Sequence, residues 1–167
     1  RVPLRRSAQR SGLTQALEPM VDTVARAKLA EAARALVAGL ITNDEFEHRI
    51  PKSDDPAIQG IFYGGFWPNY GDLSEHRMIG DARWVGEKRA FAVRCIVFLK
   101  TDLPYRWPVE TPWRSLIRSI SWALTFGASW RAYNEQLEHI GDASEWPFCS
   151  QPNFASARSS PKYLAGL

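Results

Sequence analysis

A chain of 167 residues that is 45% hydrophobic and 23% charged is long enough for one globular domain with a substantial core, which excludes general disorder. Its formal charge of +3 rests on Arg1, Arg5, Arg6 and Arg10, which leave 17 basic against 18 acidic residues from Ser11 onward. That neutral body excludes a strongly basic nucleic-acid-binding domain, and the basic amino-terminal arm is one segment able to touch phosphate or anionic lipid.

Two cysteines, Cys95 and Cys149, make neither a disulfide framework nor a zinc motif, so a reducing cytoplasm is the expected location. No run reaches the roughly 18 to 20 apolar residues that span a bilayer. The start lacks the apolar stretch of a secretory signal, and no membrane association is expected. Residues 1–12 read as a flexible basic lead and residues 13–167 as one helical domain.

In chain order, residues 21–40 hold seven alanines and align Val21, Val24, Ala25, Leu29, Ala32, Ala33, Leu36 and Leu40, which predicts an amphipathic helix that Gly39 ends or loosens. Thr42 opens Thr-Asn-Asp-Glu, a capping box in which the hydroxyl and Glu45 satisfy reciprocal orphan amides, and a short helix to about Arg49 follows. The run LVAGLITNDEFEHRI, near residues 29–50, resembles the core of SHOCT-type short bacterial domains, where a helix, a glycine, an Ile-Thr turn and a second helix make a small hairpin. The resemblance covers about 20 residues and implies an oligomerisation or interaction module. ITNDEFE, DLPYRWP and GDASEWPF together also resemble a group of uncharacterised bacterial proteins, a likeness that brings no activity with it.

Residues 51–56 are a polar connector. Residues 57–70 are dense in aromatics, with Ile58, Ile61, Phe62, Phe66 and Tyr70 in a helical stripe beside Tyr63 and Trp67, and Gly64-Gly65 marks close packing or a kink. Asp72 to Glu75 reads as a cap opening a short helix through Ile79, and Gly80-Asp81 as a turn.

Residues 84–102 then carry the central element. Both faces of this predicted helix are largely apolar, so it should be surrounded by the other helices until Pro104 stops the chain. Arg94 interrupts it: either a carboxylate such as Asp72 or Glu75 pairs with it as scaffold, or it faces an aromatic-lined ligand pocket. Tyr105 and Trp107, in a proline-stiffened connector, should clamp against the core. Residues 119–130 alternate with period two yet also continue a helical face into residues 131–140, so a helix is expected, with a minor β-hairpin near 119–148 as the alternative. Residues 153–164 allow a last short helix. The fold class expected is a mainly α small bundle around the central helix.

The three histidines share a pattern, Asp44-x-x-Glu47-His48, Asp72-x-x-Glu75-His76 and Glu135-x-x-Glu138-His139, that sets an acid and an imidazole on one helical face. Three such faces define a candidate carboxylate–histidine metal site, although capping already accounts for the first acids. No nucleophile elbow or glycine-rich phosphate loop is present, and no cofactor is expected. Arg77, Arg83, Lys88 and Arg89 with Trp84 form the best basic cluster, diluted by Glu75, Asp81 and Glu87.

The leading expectation is a non-enzymatic interaction protein with an aromatic-rich helical surface or pocket, using Tyr63, Trp67, Tyr70, Arg77, Trp84 and Arg94. Its partner would be a protein, a small apolar ligand or a second copy of the chain. A metal-dependent enzyme built on His48, His76 and His139, and nucleic-acid binding through the basic arm, are the alternatives.

Overall fold

Side-chain caps decide where the chain enters its first helices. In the computed structural model, which describes residues 20–71, 73–109, 117 and 128–159, Asp22 accepts from the Ala25 amide and opens α1 (Thr23–Val37). Thr42 and Glu45 form the expected capping box at α2 (Asn43–His48). Asp55 caps α3 (Pro56–Ile61) through the Ala57 amide, with Pro56 in the first turn, where a missing N–H costs nothing. The remaining helices are α4 (Gly86–Leu99), α5 (Ala128–Ile140) and α6 (Gln151–Ser159). The fold is mainly α, and among the described residues there is no strand, only an isolated antiparallel bridge between Thr42 and Arg77.

The hairpin alternative near 119–148 does not occur in the described part. Residues 128–130 already belong to α5, and the stretch that would have supplied the partner strand is a 3-10 turn (Ala143–Glu145) followed by a cis Trp146–Pro147 bond. Residues 118–127, the basic lead and the end of the chain beyond Ser159 lie outside the described residues.

The aromatic stretch is not one helix. After α3 the chain widens into a π-helical turn (Phe62–Phe66), in which the Trp67 amide reaches back to the Phe62 carbonyl, and then tightens into a 3-10 turn (Trp67–Asn69). Pro68 lacks an N–H, and the Asn69 side chain donates instead to the Gly65 carbonyl at 2.7 Å. The widening lets Phe62, Phe66 and Tyr70 all meet Phe46 of α2, with ring centroids 6.1, 5.4 and 6.2 Å away. Gly60 serves the other side, since a Cβ there would collide with the Tyr105 ring.

The helix expected through Ile79 is replaced by a loop. Buried Asn43 donates to the Gly71 and Ser74 carbonyls and accepts from the His76 amide at 2.8 Å, so these backbone groups are satisfied from outside and need no helix of their own.

α4 packs on α1, α6 and the π turn. Only its second half is enclosed: Ala92 and the run Cys95, Ile96, Val97, Phe98 and Leu99 are buried, whereas its first turn and Val93 are exposed. It ends at Leu99, well before Pro104, with the Thr101 hydroxyl donating to the Phe98 carbonyl at 2.7 Å. Tyr105 and Trp107 do clamp on the core, the Trp107 indole donating to the Pro147 carbonyl at 3.1 Å.

The buried ion of the core is Arg26, not Arg94. Its guanidinium is wholly enclosed and donates to both Asp55 oxygens, at 2.6 and 3.1 Å, and to the Thr101 and Leu103 carbonyls, at 3.0 and 2.7 Å. Asp55 also accepts from the Asp22 and Ala57 amides, each at 2.9 Å. Ser53 closes the ring by donating to Asp22 at 2.8 Å and accepting from the Asp55 amide. One network thereby ties the start of α1, the start of α3 and the segment leaving α4.

Removing one partner leaves an uncompensated buried charge, so Asp55→Ala should lower the urea unfolding free energy by about 3–5 kcal/mol, against about 1 kcal/mol for Ser53→Ala. Equal losses in the two variants would contradict this ranking. Hydrogen bonds from the Ala25 amide and Ser53 hold the Asp22 carboxyl below its ordinary range. A lowered folded pKa gives stability that is complete above the unfolded pKa and lost as pH falls through the folded one. Asp22→Asn should therefore flatten the acid limb of the stability–pH curve.

Candidate functional site

A trough of about 700 Å³ lies between α1 and α4. Its walls follow from helical spacing. Glu31, Arg34, Ala35 and Ala38 recur on one stripe of α1, and Arg89, Val93, Ile96 and Val97 on one stripe of α4. Arg83 and Trp84 stand at the α4 end.

The α1 end is shaped by a Schellman turn. The Gly39 amide donates to the Leu36 carbonyl and the Leu40 amide to the Ala35 carbonyl, both at 2.9 Å, with Gly39 at φ 71°. A Cβ on Gly39 would collide with Ile79. The turn sends Leu40 outward at the mouth of the trough, where it is 67% exposed, while Val93 across the trough is 44% exposed. Three guanidiniums and one carboxylate line this partly apolar surface.

The structure distributes the sequence-predicted residues over several places. Trp84 and Tyr70 are core: Trp84 is 3% exposed and stacks on Phe66 at 5.9 Å, and Tyr70 is 6% exposed and donates to Glu47 at 2.9 Å. An edge of Trp84 still reaches the trough, and both residues border a smaller hollow of about 320 Å³ that also includes His76 and Lys88. Tyr63 and Trp67 are half-buried and pack edge to face at 6.2 Å. Arg77 is exposed at the Thr42 bridge and is not among the trough-lining residues, which include Arg83 and Arg89 of the basic cluster.

Arg94 lies half-buried at the opposite junction. It donates to the Ser144 carbonyl, approaches the Glu145 carboxylate at 3.6 Å and covers the Phe154 ring at 5.7 Å. Glu75, offered by the sequence as its partner, bonds to Thr42 instead, and Asp72 lies outside the described residues. Arg94 ties the 3-10 turn (Ala143–Glu145) and α6 to α4.

The histidines do not meet. His48 donates to the Asp44 carbonyl at 2.7 Å, His76 to the Ser74 carbonyl at 2.8 Å, and His139 is exposed on α5. His48 shares a hollow with Asp44, Glu45 and Glu75, but Glu45 and Glu75 are hydrogen-bonded to Thr42. Among the described residues no three His, Cys, Asp or Glu side chains are placed to hold a metal.

Both cysteines are free thiols. Burial raises the Cys95 pKa strongly and that of the half-exposed Cys149 less, so neither is primed as a thiolate.

An aromatic hollow of about 270 Å³ is formed by Gly60, Gly64, Phe91, Tyr105, Pro108 and Trp146, with Phe91 and Trp146 stacked at 5.5 Å. Among the described residues its lining has no charged side chain to orient a ligand, whereas that of the trough has several. Residues 31–40 and 83–97 are thus the candidate site; the signal for them lay in the spacing of Arg34, Ala35 and Ala38 against Arg89, Val93 and Ile96.

No protein-family model, curated protein or solved structure matches the chain.

Arg94→Ala should cost about 1 kcal/mol and speed hydrogen exchange at Glu145, Trp146 and Phe148, with α1 unaffected. In the native protein a thiol reagent should modify Cys149 well before Cys95; the reverse order would contradict the packing described.

Proposed function

We propose that the chain is a non-enzymatic binding protein whose recognition surface is the trough between α1 and α4. The observation that carries this reading is the presentation of Leu40 and Val93 to solvent on opposite sides of a helix-walled hollow of about 700 Å³. Exposed apolar side chains gathered in a concave, charge-rimmed site mark an interaction surface more than scattered ones do. The residues lining the trough include no Ser, Cys or His nucleophile–base pair. Of the four aromatic residues expected at the surface, Tyr70 and Trp84 work as core and Tyr63 and Trp67 are half-buried away from the trough lining, so the recognition surface is aliphatic with an edge of Trp84.

The resemblance of residues 29–50 to a SHOCT-type hairpin points toward an interaction module of bacterial type. Two free thiols favour a reducing, cytoplasmic setting. No helix among the described residues is long and apolar enough to cross a membrane.

Nile red, a neutral apolar fluorophore, tests the trough without invoking charge. The full chain should enhance its emission, and Leu40→Asn with Val93→Asn should weaken binding roughly tenfold while leaving thermal stability unchanged, because both side chains are exposed. Equal dye binding by the double variant would overturn the reading.

A further inference from the structure

The trough has a length, a direction and a charge, and these specify an occupant. Its lining runs from Glu31 to Ala38 on α1 and from Arg89 to Val97 on α4. At about 1.5 Å rise per residue, each wall is about 10–12 Å long, or about two helical turns. Two packed helices with an open furrow between them present the ridges and grooves into which a third helix fits. Ala35 and Ala38 keep one wall low, so a backbone can approach, while Ile96 and Val97 supply an apolar floor and Leu40 and Val93 flank it. Arg34, Arg83 and Arg89 line it against the single carboxylate of Glu31.

From this geometry we infer that the occupant is a short acidic amphipathic helix of a partner protein. Its apolar residues, at i, i+3 or i+4 and i+7, lie on Ala35, Val93 and Ile96. Its Asp and Glu side chains face Arg83 and Arg89. The inference rests on the trough being the recognition surface. It goes further by assigning the partner's secondary structure and the sign of its charge. Carboxylate–guanidinium pairs at the rim set association rate and selectivity, and the apolar floor supplies most of the affinity.

The test titrates the full-length isotope-labelled chain with three synthetic helical peptides of identical apolar face and acidic, neutral or basic outer face. The acidic peptide should shift amides within residues 31–40 and 83–97, bind at least about tenfold more tightly than the basic one, and weaken as salt is raised. Arg83→Glu with Arg89→Glu, both exposed positions, should reverse the preference so that the basic peptide binds better. The reversal reads charge recognition directly, and a merely destabilised variant would not show it.

Equal binding of all three peptides in the trough overturns the acidic occupant and leaves the recognition surface standing. No trough shifts with any peptide, together with loss of the Nile red result, removes both. Trough shifts that grow with protein concentration alone identify a second copy as the occupant and likewise overturn the inference.

Discussion

The Arg26–Asp55 pair is the interaction on which the arrangement of the helices depends. Taking a guanidinium and a carboxylate wholly out of water costs several kcal/mol per ion, and mutual attraction recovers this only with good geometry and full hydrogen bonding. Here Arg26 is bidentate to Asp55 and also serves two carbonyls beyond α4, while Asp55 receives two amides besides. An apolar pair of the same volume would pack these helices with less loss of hydration. What the ion pair supplies is position: three segments must arrive together, within hydrogen-bond distance, or leave a charge stranded.

That constraint has consequences down the chain. With the start of α1 tied to the segment leaving α4, the carboxy-terminal half of α4 is held against the core, and the Arg26 guanidinium lies 5.3 Å from the centre of the Phe98 ring. The carboxy-terminal half of α1 and the stripe of α4 from Arg89 to Val97 line the trough. The π turn performs the matching task for the aromatic residues, rotating Phe62, Phe66 and Tyr70 onto Phe46 so that the bulk of the aromatic surface is internal. The surface left for recognition is aliphatic and guanidinium-rich.

Much of the fold was legible because its signals are local. The capping box at Thr42, the alanine-rich pattern of α1, the glycine that closes it and the mainly α class all follow from interactions within a few residues. The loop over 73–79 is not legible locally, because Asn43, some thirty positions away, supplies the hydrogen bonds that a helix there would otherwise make. The candidate site is legible only in fragments: Trp84 and Arg83 stand out in the sequence, whereas Leu40 and Val93 matter because of which helices face each other.

Arg26 and Arg94 show where the division falls. Both sit within apolar helical patterns, and the sequence alone marked Arg94 as the ion in need of a partner. It determined that each helix would exist, where the first ones begin and that a substantial core would form, since periodicity, capping and side-chain volume are properties of neighbouring residues. Only the tertiary structure decided that Arg26 is the enclosed charge, that Arg94 reaches the turn beside Glu145, and that a furrow stays open between α1 and α4. Burial of a charge and the shape of a hollow depend on which surfaces meet, and that pairing is settled by contacts between segments far apart in the chain.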